Sequence, residues 1–349
     1  MGLTESIKPS WMVSANQVDI TATIADRFMG LTLTDAAGLE SDLLEITLSD
    51  NDPLAPIQIP PKGAELELFL GYDGALQRMG LFIYDEVELS GWPGEMVIRA
   101  RAATYDKSKG GKTDLQTQKN RSWPKGIKLG DMVAKIAKEH GMESAVSASL
   151  KSIALPHTDQ ADESDINLLT RLAKKYDAVV KPAGGKIALT KKGEGKTASG
   201  EELPRITLSA IDCTNYRMTT SQRETAGMVV AYWHAVKQSK RNEIKVGTGE
   251  PVRRLKQYYP TKEMALSAAR SELSRRERGQ TTVSFTLPGD PTLAAECTLV
   301  ASGFRPGVDG EWLTTRVTHR VDAGGGYVCD MEGETPNDPE APEVEEAQS

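Results

Sequence analysis

The sequence predicts a β-rich α+β protein: two blocks of antiparallel strands with a small α+β unit between them. Three observations carry this. Apolar and polar residues alternate at period two through much of the first hundred positions, whereas helical spacing is confined to the middle and to one later stretch. Gly and Pro are abundant, 31 and 18, while aromatics make up only 5%, a composition that suits many short strands joined by turns. At 349 residues the chain also exceeds what one hydrophobic core ordinarily organises, so two or three domains are the prior.

In the first block Leu44, Ile46 and Leu48 alternate with Glu45, Thr47 and Ser49. Leu66, Leu68 and Leu70 alternate with Glu65, Glu67 and Phe69, and Met96, Ile98 and Ala100 with Val97, Arg99 and Arg101. Asp50-Asn51-Asp52-Pro53, Pro60-Pro61-Lys62-Gly63, Tyr72-Asp73-Gly74 and Gly91-Trp92-Pro93-Gly94 supply turns at the spacing of an antiparallel barrel or sandwich. The period then changes. Met132, Val133, Ile136 and Ala137 predict a helix from Leu129 to His140, with Gly141 as its stop. Ile166, Leu169, Leu172, Ala173 and Tyr176 predict a second helix from about Asp165. Strands Ala178–Lys181 and Lys186–Thr190 complete the unit, and Lys191–Glu202 reads as a linker. Strands resume after Pro204, interrupted by one helix from Thr261 to about Arg276 with Leu266, Ala269 and Leu273 inward. The expected domains are residues 1–110, 111–203 and 204–331, followed by a tail over 332–349.

That tail explains the net charge of −7. Glu332, Glu334, Asp338, Glu340, Glu343, Glu345 and Glu346 are unaccompanied by any basic residue, and without them 42 acidic face 42 basic residues. With Pro336, Pro339 and Pro342 and little apolar material, the tail is expected to be disordered, so that a chain cut after Met331 should melt within about 2 °C of the whole. A neutral body speaks against nucleic-acid binding. Mean hydropathy is −0.40. There is no run of the roughly 18 apolar residues that a membrane helix needs and no secretory signal, so a cytoplasmic origin without membrane insertion is expected. Met1–Ser6 fits a myristoylation pattern of little weight. Cys213, Cys297 and Cys329 are odd in number and widely spaced, which argues for reduced thiols rather than disulfides or zinc.

No catalytic, cofactor or metal site is predicted. Gly111-Lys112-Thr113 and Gly195-Lys196-Thr197 end like P-loops, but the required earlier glycines are replaced by Asp106 and Thr190. His140, His157, His234 and His319 have no metal-ligand spacing, and His140 reads as a cation at a helix C-terminus. Asp162, Glu163 and Asp165 could be imagined as an acid/base set. Beside Ser164, a good N-cap, they read better as a helix start. Arg270, Arg275, Arg276 and Arg278 read as a solvated basic helix end.

Several segments together resemble one family. Gln160-Ala161-Asp162-Glu163-Ser164-Asp165 followed by Leu168-Leu169-Thr170-Arg171-Leu172-Ala173 is similar to a segment of the phage late control D proteins. Colinear with it are Asp19-Ile20-Thr21, Asp26-Arg27-Phe28, Asp42-Leu43-Leu44-Glu45-Ile46, Gly80-Leu81-Phe82-Ile83-Tyr84-Asp85-Glu86-Val87, Arg121-Ser122-Trp123, Gly310-Glu311-Trp312 and Val317-Thr318-His319. The resemblance spans about residues 8–330. It implies a non-enzymatic baseplate hub of contractile phage tails and R-type pyocins, related to the amino-terminal part of type VI secretion spike proteins. It further implies two tube-type β-barrels per subunit and a homotrimer between the tail tube protein and the central spike protein, contacting tape-measure and other baseplate proteins. The subunit would be made in the host bacterial cytoplasm and carried in the tail baseplate of a virion or tail-like particle. The rival readings are a tail-associated peptidoglycan hydrolase using Asp162, Glu163 or Asp165, and a transcriptional regulator, which the neutral body and missing recognition helix disfavour.

Overall fold

The computed structural model describes residues 7–38, 42–61, 63–103, 115–183, 185–192, 202, 204–221, 227–234, 241–278, 280–336 and 344–345. Met1–Ser6, Gly111-Lys112-Thr113, Gly195-Lys196-Thr197 and most of the linker lie outside the described residues, as do 337–343 and 346–349 of the tail.

Period-two alternation becomes strands where the sequence places it. The first block comprises β1 (Pro9–Ala15), β2 (Val18–Asp19), the one-turn helix α1 (Thr21–Ile24), β3 (Phe28–Ala36), β4 (Leu43–Ser49), β5 (Glu65–Tyr72), β6 (Ala75–Ser90) and β7 (Glu95–Ala102). All its pairings are antiparallel, in the order β3-β4-β7-β6-β5-β1-β2. Leu44, Ile46, Leu48, Leu66, Leu68, Leu70, Met96, Ile98 and Ala100 are buried on one face. On the other, Arg99 reaches Glu45 across β7 and β4 at 2.7 Å, so opposite charges meet where the side chains face water.

The middle unit runs β8 (Gln118–Trp123), α2 (Leu129–Glu139), β9 (Glu143–Val146), α3 (Ala148–Lys151), β10 (Thr158–Ser164), α4 (Asp165–Lys175), β11 (Ala178–Ala183) and β12 (Lys186–Lys191). β10 pairs with β8, and a separate three-stranded sheet orders as β11-β12-β9. Helix α2 stops as its sequence requires: Gly141 takes φ +66°, a left-handed conformation that only glycine adopts without strain. Met132, Val133 and Ile136 of α2 pack with Leu168, Leu169 and Leu172 of α4 in a core of their own.

The third block contains β13 (Arg205–Ser209), β14 (Asn215–Thr220), β15 (Met228–His234), β16 (Arg241–Gly247), β17 (Val252–Tyr259), α5 (Lys262–Arg278), β18 (Thr281–Pro288), β19 (Thr298–Ser302), β20 (Gly310–Asp322), β21 (Tyr327–Glu334) and β22 (Val344–Glu345). It is not one body of strands. β15, β16 and β17, with β22, form a small sheet, against which α5 packs Ala265, Ala269 and Leu273. The remaining strands join the first block: β20 pairs with β3 from Arg316↔Ala36 to Asp322↔Gly30, giving a 13-stranded sheet. One apolar cluster runs through both blocks, from Val13 to Met331.

Two expectations are corrected. The tail does not begin at Glu332: β21 continues through Glu334, whose neighbours on β18 and β20 are Thr282 and Leu313. Val344–Glu345 pairs with Lys245–Val246. Nor is Arg278 a solvated helix end. It is only 2% exposed, with Nη2 at 2.8 Å from Asp177 Oδ1 and Nε at 3.2 Å from Glu334 Oε1. A charge this deep requires anionic partners, and they come from two other parts of the chain. Arg275 and Arg276 pair locally with Glu272.

A chain ending at Met331 therefore loses three strand residues and one partner of a buried guanidinium. Its thermal midpoint should fall by about 5–10 °C, the result of losing roughly 2–4 kcal/mol. Ending the chain after Pro336 should cost no more than about 2 °C. Calorimetry of the two truncations checks this, and equal midpoints would refute it.

Candidate functional site

The acids singled out in the sequence are brought together with bases, not with one another. Ser164 caps α4 by accepting the Asn167 amide at 3.3 Å, as the sequence requires. Asp165, the next residue, is fully buried. Its Oδ1 accepts from Arg121 Nη2 at 2.5 Å and Gln160 Nε2 at 2.8 Å. Its Oδ2 lies 2.7 Å from Lys119 Nζ and 2.8 Å from His140 Nε2. Burial would raise this carboxyl, but the hydrogen bonds from Lys119, His140 and Gln160 and the Arg121 charge prevail and hold it at about 2. Glu139 closes the network, 2.7 Å from Arg121 and 3.2 Å from Lys119.

The strands explain this convergence. Lys119, Arg121 and Trp123 alternate along β8 and so share one face. The guanidinium of Arg121 lies 4.5 Å over the Trp123 ring. His140, the C-cap of α2, is thus also a ligand of Asp165, a contact its sequence position did not disclose. Asp162 sits at the β8–β10 register shift with φ +47° and accepts from Asn120 Nδ2 at 2.7 Å. Glu163 is held by Arg171 through two bonds, 3.0 and 2.7 Å. General acid catalysis needs a carboxyl that keeps its proton near neutrality. Asp165 is held in the opposite state, and the other two are engaged in binding neighbouring side chains.

A second cluster resembles a nucleophile and its base more closely. Cys329 Sγ is 3.2 Å from His319 Nδ1, which also meets the Tyr327 hydroxyl at 2.9 Å, while Nε2 faces Leu293 O at 3.2 Å. Both Cys329 and His319 are fully buried. Burial pushes the thiol up to about 11 and lowers His319, so the pair is a neutral thiol beside a neutral imidazole. A nucleophile would need the thiolate. The cluster is instead a packing device in the shared sheet, where Tyr72 of β5 donates to Gly289 O at 2.7 Å and its ring lies 5.6 Å from that of Tyr327. Cys213 is half-buried, Cys297 buried, and both are free thiols. Among the described residues no cluster of His, Cys, Asp or Glu has the arrangement of a metal site. His157 lies exposed beside Asp159 at 3.1 Å, and His234 stacks on Tyr258.

Features suited to contact with other proteins lie on the surface. Leu54 and Trp92 are 94% and 85% exposed on neighbouring turns that are joined by the Asp50 amide to Gly94 O at 2.8 Å. Edge strand β14 is exposed along its whole length and carries Tyr216 and Met218. Large apolar side chains left in water in this way mark association surfaces.

The chain is similar to known proteins along most of its length. The family model for the phage tail baseplate hub (GPD) matches residues 91–325. A probable baseplate hub protein of Escherichia phage 186 is 32% identical, over 92% of this chain and 91% of its own. Among solved structures, the 43 kDa tail protein of prophage MuSo2 from Shewanella oneidensis superposes with a TM-score of 0.69 at 15% identity, covering 94% of this chain and 98% of that one. A type VI secretion component of E. coli superposes with a TM-score of 0.57 at 12% identity, covering 95% and 79%.

The Asp165 network should behave as structure. Asp165→Ala leaves Arg121 and Lys119 without their central anion and is expected to cost about 3–5 kcal/mol in urea unfolding. Because the carboxyl is lowered in the fold, its contribution is fully present above the ordinary carboxylate value of 3.8 and is lost as pH falls through about 2. The gap between wild type and variant should therefore shrink below pH 4. A pH-independent gap would refute the assignment.

Proposed function

The chain belongs to the phage tail baseplate hub (GPD) family, and on that premise we propose that three copies close into a ring joining the tail tube to the central spike. It is a structural protein of the tail baseplate. The observation that best supports the ring is the 13-stranded sheet built from both ends of the chain. Its two strand groups, one on each side of the β3–β20 seam, would serve as two tube-type barrels, so that three subunits present six positions to a six-fold tube while remaining three-fold toward the spike. The domain limits consistent with this are near residues 110 and 203, with the tail now starting after Pro336. Closed symmetry would also cover the exposed edge at β14, which otherwise invites open-ended pairing.

On this reading the subunit assembles in the host bacterial cytoplasm, meets tape-measure and other baseplate proteins, and ends in the virion or tail-like particle. It needs no cofactor. The hydrolase reading has nothing in its favour once Asp162, Glu163 and Asp165 are seen to be engaged with Asn120, Arg171 and the Lys119–Arg121 pair.

The test is co-expression with the spike gene of the same tail cluster, followed by light-scattering mass and electron microscopy. A three-to-three complex with a central lumen is expected, with interfaces on the order of 2,000 Å² or more. A one-to-one complex, or a dimer that persists with spike and tube both present, would overturn the ring.

A further inference from the structure

A cleft of about 710 Å³ lies between the middle unit and the small sheet of the third block. One wall is α4 with Lys174 and Lys175. The other is β17 and the adjoining face of α5, with Leu255, Tyr258, Met264 and Arg275. Both the backbone and the charge of this cleft are incomplete.

β17 ends its sheet: among the described residues it pairs with β15 alone, and most of its residues are exposed. Residues 255 and 257–259 all line the cleft. Register with β15 is lost between Arg254 and Tyr258, so the cleft runs past a bulged stretch of this edge strand. The edge offers unpaired amides and carbonyls to an incoming strand.

Four basic and three acidic side chains line the cleft, and the charge left without a partner is positive. The acids that line the cleft are already engaged: Asp159 with Ser122 and His157, Asp177 with Arg278, and Glu272 with Arg275 and Arg276. Lys174 and Lys175 have no acidic partner among the described residues. Burial, together with the Arg171 charge, lowers Lys175, a sign that this half-buried ammonium lacks a counter-charge. Beyond the cleft, β17 carries Arg253, Arg254 and Lys256, and residues 251–262 contain no acid.

We infer that the cleft takes an extended acidic peptide segment of a neighbouring tail protein, added as a strand on the free edge of β17 with its carboxylates against Lys174 and Lys175. Alternate side chains of that segment would fall against Leu255 and Met264, and Tyr258, 46% exposed, would be covered. Strand addition favours a peptide over a nucleic acid, whose backbone has no donors to match a strand edge. The inference is independent of the number of subunits in the ring, so a failed ring leaves it standing and the reverse also holds.

The test uses the full-length protein and fluorescein-labelled probes in anisotropy titrations. The acidic probe is a twelve-residue peptide alternating Glu with Val and Tyr. Its comparators are the same peptide with Lys for Glu, the acidic peptide N-methylated at alternate residues, and a twelve-nucleotide oligothymidine. Saturable binding of the acidic probe alone is expected, weakened about tenfold or more by Lys174→Glu with Lys175→Glu and by N-methylation. Lys174→Glu by itself, at an exposed position, should weaken it in the same direction if the double variant misfolds. No saturation up to about 1 mM, indifference to the lysine variants, indifference to N-methylation, or tighter binding of the oligonucleotide would each overturn the inference. So would displacement of the probe by a peptide of residues 337–349 at a lower concentration than unlabelled probe requires, which would make the site one for the chain's own tail.

Discussion

The pairing of β3 with β20 is the constraint on which the architecture depends. Residues 30–36 meet residues 316–322 in seven consecutive positions, and this seam turns two groups of strands into one sheet. Its register is fixed by what lies beneath it. Leu31 and Leu33 face Val321 and His319, all buried, while Thr32 and Arg320 face outward between them. A slip of one residue would exchange those sets and bury a guanidinium. His319 tolerates its position because it is neutral there, and its ring nitrogens find Tyr327 and Leu293. β20 is long enough to pair first with β19, then with β3, and with β21 across most of its length.

The other units attach to this sheet through charge. The three apolar clusters are separate, and half-buried and buried ion pairs cross between them. Lys181 of β11 lies 3.1 Å from both Asp35 and Asp42, at and beside β3, and Arg278 of α5 binds Asp177 and Glu334. Such pairs contribute little net stability against their desolvation, but they discriminate strongly between orientations. The Lys181 joint also responds to pH. Burial and the charge of Asp35 raise Asp42 to about 6. The stability tied to this group is therefore present below the ordinary carboxylate value and is lost as pH rises through about 6.

What could be read from the sequence follows this division between apolar and polar contacts. Strands β4, β5 and β7 and helices α2, α4 and α5 stand where apolar periodicity placed them, because each buries one face in a core. β8, β10 and β17 escaped notice: their residues are largely charged, amide or hydroxyl-bearing, and only isolated side chains, Trp123 of β8 and Leu255 and Tyr259 of β17, reach a core, too few to set a period. Asp165 was legible as a first-turn acid beside its N-cap, but its four side-chain partners come from β8, β10 and the end of α2, and no local pattern reports contacts over such separations. The only hint was the alternation of Lys119 with Arg121. The family resemblance, carried by the same Gln160–Asp165 segment, was legible because those positions need particular chemistry rather than mere polarity. Arg278 was misread for the complementary reason: at the end of a basic helix it looks like its neighbours, and only Asp177 and Glu334, far off in sequence, set it apart.

The seam between β3 and β20 also dictates an order of events during synthesis. A chain leaving the ribosome exposes the free edge of β3 long before its partner exists. About 280 residues separate them, and translation at roughly 5–20 residues per second leaves that edge open for about 15–60 s. The first block can meanwhile pair β4, β7, β6, β5 and β1 among themselves, since those contacts are local, but one side of its sheet waits. Closing so long a loop is slow to initiate, although its entropy grows only with the logarithm of its length. Nascent chains crowded on one message therefore have an interval in which the edge of one can meet that of the next. Asp35, on that edge, and the nearby Asp42 leave two carboxylates there until Lys181 and then β20 arrive, and they repel the same carboxylates on the bare edge of a neighbouring chain.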